Sequence, residues 1–138
     1  MGRAVTDRRS GCPISYALDL LGDKWTLLVL RDLLLMNKRH YRELLAAEEG
    51  IATNILADRL KRLEAQGLIN READPRDRRQ LIYRVTDKGI SLVPVLLELA
   101  AWGARHDEMT AAPKAFAEEF RTDRDRVVAR FTDRLQDD

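Results

Sequence analysis

Apolar residues recur along this chain with two different periods, and the change of period separates its elements. Leu56, Leu60 and Leu63 stand at helical spacing, which predicts a helix over Ala52–Gln66 with one buried face. Gly67 follows as its stop, the usual role of a residue that must take positive φ at a helix end. Leu68–Ala73 then reads as a strand and Asp74-Pro75-Arg76-Asp77-Arg78-Arg79 as a turn. Gln80–Val85 alternates, with Leu81, Tyr83 and Val85 on one side and Gln80, Ile82 and Arg84 on the other.

Upstream, Cys12-Pro13 opens a first helix with Tyr16, Ala17, Leu20 and Leu21 on its apolar face, and Gly22 ends it. Asp23 is placed to cap a second helix, Lys24–Leu35, which is apolar almost all round and so belongs in the middle of the domain. A short helix over Tyr41–Ala47 and the turn Glu48-Glu49-Gly50 lead into the helix already described. Downstream, Thr86-Asp87 caps a long helix running to about Met109, slightly bent at Pro94. Pro113 interrupts the chain, and Lys114–Leu135 reads as one last helix with Phe116, Phe120, Val127, Phe131 and Leu135 on a stripe. The expected fold is mainly α with a small β-hairpin.

Two helices joined by a short turn, then a hairpin with a basic tip, is the order of a winged helix-turn-helix. With Leu56 as zero on a helical wheel, Leu60 and Leu63 fall within about 40° of it. Asn54, Asp58 and Lys61 fall opposite, and Arg62 on the flank. Thr53 and Asn54 lie at the N-terminal end, which enters a major groove first. Asn can bond adenine in bidentate fashion and Thr can touch a thymine methyl. Asp58 either accepts from a cytosine amino group or orients Arg62, four residues on. Arg76, Arg78 and Arg79 at the hairpin tip suit phosphate or minor-groove contact, and Lys38, Arg39 and Arg42 suit phosphates. The plainer alternative is a solvated helix face and a charged tip that keeps a strand edge soluble.

Charge alone does not make this case. The net charge is +1, and Lys38–Arg79 holds ten Lys/Arg against eight Asp/Glu, a difference of +2. Any positive surface therefore comes from arrangement rather than from excess. A 138-residue chain that is 45% hydrophobic is enough for one packed domain. The single cysteine, Cys12, excludes an internal disulfide framework, and His40 and His106 lack metal-ligand spacing. No nucleophile–base pattern or glycine-rich phosphate loop is present, so no catalytic, metal or cofactor site is expected. Nor does any apolar run approach the ~20 residues of a membrane span. Met1–Gly11 is polar, without a signal-peptide core, which makes a cytoplasmic location the expectation. Trp25 and Trp102 read as core or subunit-contact residues and His40 as a polar surface group. The expected organisation is a flexible N-terminus over 1–11, a winged domain with its dimerisation helices over 12–109, and a helical extension over 110–138.

These elements carry specific residues: Cys12-Pro13, Gly22-Asp23-Lys24-Trp25, Lys38-Arg39-His40-Tyr41-Arg42-Glu43-Leu44, Gly50-Ile51, Gly67-Leu68-Ile69, Tyr83, Thr86, Gly89 and Trp102. In combination they resemble the HxlR family of bacterial transcription regulators, relatives of the MarR group, from about Cys12 to His106. The resemblance implies a winged-helix homodimer in the cytoplasm, with N- and C-terminal dimerisation helices, acting on (pseudo)palindromic double-stranded DNA. It also implies, for some members, an oxidant or electrophile effector sensed through the N-terminal cysteine. The chain departs from the pattern in two places. Its wing tip, Asp74–Arg79, is closer to that of MarR proteins, and Ala52-Thr53 stands where a serine usually follows the Gly-Ile pair. Thr53 can take over the capping.

Cys12 has two readings. At the opening of a helix, with Arg8 and Arg9 nearby, aligned amide dipoles favour a reactive thiolate. Lacking a second cysteine, it could form a disulfide only between chains or with a small thiol. Alternatively it is a small apolar residue packed in a subunit interface. The apolar residues Leu96, Leu99, Trp102, Phe116, Phe120, Val127 and Phe131 exceed what one small core can hold, which suggests a partner surface filled by a second copy. A small-molecule effector between the copies is compatible with this. The rival to duplex-DNA binding is a winged-helix module that binds protein or RNA.

Overall fold

The computed structural model describes residues 9–112 and 114–137. The start of the expected flexible N-terminus, with Arg8, lies outside these. Helices α1 (Pro13–Leu21), α2 (Lys24–Leu34), α3 (Tyr41–Leu45) and α4 (Thr53–Ala65) lead into strands β1 (Ile69–Asp74) and β2 (Asp77–Val85), then α5 (Asp87–Ile90), α6 (Val93–His106), α7 (Lys114–Thr122) and α8 (Arg124–Gln136). The chain forms two compact units, one through Gly89 and one from Ile90. Helix α6 thus groups with the C-terminal helices, whereas the sequence suggested a boundary after residue 109.

The first unit is built on α2, α4 and the hairpin. Leu30, Leu33 and Leu34 of α2, Leu44 of α3, and Leu56, Leu60 and Leu63 of α4 are buried together with Leu68, Ile69 and Ile82. Helix α4 ends in a Schellman motif. The Leu68 amide donates to the Leu63 carbonyl and the Gly67 amide to the Glu64 carbonyl, both at 3.0 Å, with Gly67 at φ 74°. Leu63 and Leu68 are both buried, as the hydrophobic contact of this motif requires. The recognition helix of the motif therefore runs into the wing through one rigid turn.

In the hairpin Ile82 and Tyr83, on opposite sides of β2, are both buried, while Leu81 is 43% exposed. Residues 39 and 40 lie beside this stretch: the Tyr83 amide donates to the Arg39 carbonyl at 2.8 Å, and His40 pairs with Ile82 in an isolated β-bridge. The tip turns tightly at Pro75-Arg76, with Asp74 opposite Asp77. Because Ala73 pairs with Leu81, residues 78–80 bulge out of the ladder.

Downstream of the hairpin the two long helices expected from the sequence are each broken. Thr86–Met109 divides into α5 and α6, and Pro94 occupies the first turn of α6 instead of bending a continuous helix. A proline lacks the amide to continue a helix from upstream and is tolerated where amides are unpaired anyway. The stretch from Lys114 breaks at Asp123, whose backbone (φ −143°, ψ 58°) is not helical. The break sets α7 and α8 against each other and against α6. Phe120 and Val127 are buried as a result, not left for a partner as anticipated. What does remain exposed is Val95, Leu99 and Trp102 on α6, and separately Ile14, Tyr16 and Leu18 on α1. Helix α1 buries none of its residues.

Candidate nucleic-acid interface

Helix α4 starts at Thr53, with Ala52 as a cap whose side chain makes no capping bond. The Tyr41 hydroxyl instead donates to the Thr53 carbonyl at 3.2 Å, tying the start of α4 to α3. Asn54 and Lys61 are exposed on α4 opposite its buried leucines, Arg62 is exposed on the flank, and Thr53 is exposed at the first turn. Asp58 is held on both sides: Arg59 Nη1 donates to its Oδ2 at 2.6 Å and Arg62 Nε lies 3.0 Å from the same oxygen. Asp58 thus lies between two arginines.

Arg59, which sequence reasoning passed over, joins this face to the core helix. Its Nε donates to Asp23 Oδ2 at 2.6 Å, while Asp23 caps α2 by accepting from the Thr26 amide and hydroxyl, each at 2.9 Å. The Arg59 guanidinium, helped by the Thr26 bonds, holds the Asp23 carboxyl far below the usual carboxylate range. Asp23→Ala is expected to cost about 1–2 kcal/mol, mostly the lost cap, because the 36%-exposed carboxylate is well screened. A group with a depressed native pKa stabilises above its unfolded value, near 4, and loses that contribution as pH falls through the native one. The difference in urea midpoint between wild type and variant should therefore be constant from neutrality to about pH 4 and shrink below it. Equal midpoints at neutral pH would show that neither cap nor pair matters.

At the wing, Arg76, Arg78 and Arg79 are all exposed, Arg79 by 90% of its side chain. Asp77 accepts from Arg79 Nε at 3.0 Å, and Asp74 Oδ1 accepts from the Arg76 amide at 2.9 Å in an Asx turn. The connector is arranged differently. Lys38 Nζ lies 3.3 Å from Asp32, a carboxylate only 2% exposed inside α2, and Arg39 Nη1 donates to the Leu33 and Lys38 carbonyls. Both cations are directed at the end of α2, which leaves Arg42 as the exposed cation of this segment. Arg31 bonds both Asp32 and Glu49, and its guanidinium lowers the Glu49 carboxyl to about 2. This clamps the turn between α3 and α4.

One cluster was not foreseen. His40, expected to be a plain surface residue, places Nδ1 2.9 Å from Glu43 and Nε2 2.8 Å from Asp74. The only trace of it in the sequence is the His-x-x-Glu spacing of a capping box. Beside it, His40, Tyr41, Arg42, Arg79, Gln80, Leu81 and Tyr83 line an open groove of about 410 Å³. Cys12 is exposed at the cap of α1, its amide donating to Ser10 Oγ at 3.2 Å. Among the described residues no metal-ligating cluster occurs, and no helix is long and apolar enough to cross a membrane.

A helix-turn-helix with an open polar face and a hairpin behind it now stands beside the sequence pattern of the HxlR-like helix-turn-helix family, which matches residues 20–111. The chain belongs to the HxlR family. Its relatives are transcriptional regulators, not enzymes, and it shares their helix-turn-helix DNA-binding fold. A helix-turn-helix transcriptional regulator of Synechocystis sp., sll1512, is 39% identical over 93 residues, covering 67% of this chain and 68% of that one. Among solved structures, the redox regulator HypR in its oxidized form matches with a TM-score of 0.62 and 27% identity, over 70% of this chain and 98% of HypR. The reduced form of the regulator YodB from Bacillus subtilis matches with a TM-score of 0.56 and 31% identity, over 73% and 99%. This HxlR protein extends beyond the matched region by the end of its second unit, including α7 and α8.

Proposed function

We propose that the protein is a cytoplasmic, homodimeric regulator that reads a (pseudo)palindromic operator with α4 and its wing and responds to oxidants or electrophiles through Cys12. The observation that carries the DNA reading is the exposed face of α4. Asn54 and Lys61 stand open opposite a buried leucine stripe, with Thr53 open at the first turn and Arg62 on the flank, and the Schellman turn leads into β1, which carries a tip of exposed arginines. In this reading Thr53 and Asn54 meet base edges, and Asp58 aims Arg62. Arg76, Arg78, Arg79 and Arg42 meet phosphates or the minor groove. Lys38 and Arg39 act at most indirectly, by fixing the connector.

Pairing of two copies is supported by the apolar residues left open on α1 and, separately, the Val95, Leu99 and Trp102 stripe of α6. A two-fold axis would set two copies of α4 about 34 Å apart, one turn of DNA. The thiol reading rests on the exposure of Cys12 at the cap of α1 and on the redox regulators among the structural relatives. Electrophile adducts or a disulfide between copies at Cys12 would alter the pairing and so the spacing.

A gel shift with the DNA upstream of the protein's own coding sequence, reduced and after diamide, tests both parts. A shift lost on oxidation, restored by dithiothreitol and unaffected by diamide in Cys12→Ser is the expected result. Release by diamide that persists in Cys12→Ser removes the sensor role and leaves the regulator. Failure to bind duplex DNA at low salt turns the reading toward a protein or RNA partner.

A further inference from the structure

We propose that His40 is the positioning residue of the wing: its imidazolium bridges Glu43 at the start of α3 to Asp74 at the hairpin tip, and so holds the Arg76 turn where it meets DNA. The proposal rests on the DNA-binding reading above. Its foundation is geometric. Both ring nitrogens lie within 2.9 Å of carboxylate oxygens, and a carboxylate only accepts. Each nitrogen must therefore carry a hydrogen, which makes the bridging species the cation.

The carboxylates are held for this role by other bonds. Glu43 Oε1 also accepts from the backbone amides of His40, at 3.0 Å, and Arg39, at 3.3 Å. Asp74 gives Oδ1 to the Arg76 amide and Oδ2 to His40. Asp74 is 8% exposed, whereas Pro75, Arg76, Arg78 and Arg79 around it are open to solvent. The bond to His40 is thus a side-chain tie from the tip back to the helix-turn-helix. Without it the tip depends on its two-residue turn alone, since residues 78–80 are outside the ladder.

The two carboxylates outweigh the opposing effect of desolvation. Asp74 from β1, then Glu43 from α3, raise the His40 pKa above its ordinary value. The Arg76 amide and His40 lower Asp74. The His40 bond and the two backbone amides lower Glu43 against the opposing effect of its burial. Arg42 and Tyr41 of α3, and Arg79 and Tyr83 of β2, share the adjoining groove. A histidine with a raised native pKa contributes fully below its unfolded value and loses that contribution as pH rises through the native one. The bridge is therefore intact below the ordinary histidine value and opens as pH rises through a native midpoint above it, when the neutral ring keeps one hydrogen and one carboxylate faces a bare nitrogen.

The test uses His106→Gln, which leaves His40 as the one histidine of the chain. Its imidazole titration by NMR should give a midpoint above about 6.5. Affinity for the upstream duplex is then measured at fixed salt over roughly pH 6 to 9. It should fall about three- to tenfold as pH rises through that midpoint, the size of one net hydrogen bond. His40→Gln, which cannot titrate, should bind at the weaker level and without this pH dependence. His40→Arg, a permanent cation with donors for both carboxylates, should bind at the tighter level throughout. In the free protein the Arg76 amide should exchange faster in His40→Gln. A titration midpoint at or below the ordinary value overturns the proposal, as do tight binding by His40→Gln or unchanged Arg76 exchange. If no duplex is bound at any pH, the DNA reading fails, while the titration and the Arg76 exchange still decide the bridge.

Discussion

Replacing Arg76, Arg78 and Arg79 together with alanine is expected to weaken duplex binding more than a hundredfold at about 0.15 M salt, with little dependence on the sequence offered. Each phosphate neutralised releases close to 0.9 counterion, so one wing carries a slope of about 3 in log affinity against log salt, and two wings of a dimer about 5. The single change Arg78→Ala should remove about one unit per wing. The fold should survive the triple change, because these side chains are exposed and the one ion pair lost, Arg79 with Asp77, is a surface pair of small worth. Salt titrations by fluorescence anisotropy, with circular dichroism as the control for folding, make the measurement. An unchanged slope in a folded triple variant would falsify phosphate contact by the wing.

The second large effect is on stability. Gly89→Ala places a methyl carbon 2.3 Å from the Leu68 carbonyl oxygen and 3.3 Å from its carbonyl carbon. Backbone cannot step aside as a flexible side chain does. That oxygen is also occupied, accepting from the Thr86 amide at 3.0 Å, while the Thr86 hydroxyl bonds both the Gly67 carbonyl and the Gly89 amide. The first turn of α5 therefore has to part from the start of the wing, breaking the bonds that Thr86 makes to Leu68, Gly67 and Gly89. Overpacking of this kind costs about 1–3 kcal/mol, and disturbed hydrogen bonds add to it. A fall in melting temperature of about 5 °C or more is expected for a chain of this size. A melting temperature within about a degree of wild type would mean that the crossing is looser than the geometry shows.

Much of the first unit could be read from residue order, because its signals are local. Periodic leucines in α4, glycine at its end, aspartate at the start of α2 and proline at the start of α1 each report on their own turn of chain. The joint burial of Ile82 and Tyr83 was not legible, because residues 39 and 40, some forty positions away, pair beside them. The continuous C-terminal helices were misread for a related reason. An amphipathic stripe through Arg121–Arg126 looks the same whether the chain passes straight on or turns at Asp123, and only packing decides. Of the candidate interface, residue types and exposure on α4 and the tip were legible. The partners were not, since Arg59 with Asp23, Lys38 with Asp32, and His40 with Asp74 join different elements.

The bulge at residues 78–80 has a consequence for how such a protein diversifies. A residue gained or lost within a regular hairpin reverses every later side chain from one face to the other. Here three residues already stand outside the ladder, between the Asp77 and Leu81 pairs. The tip can therefore lengthen, shorten or exchange its arginines while Ile82 and Tyr83 keep their places in the core. On the proposed reading, the strength of the wing's hold on phosphates can drift along a lineage without each step being screened by folding.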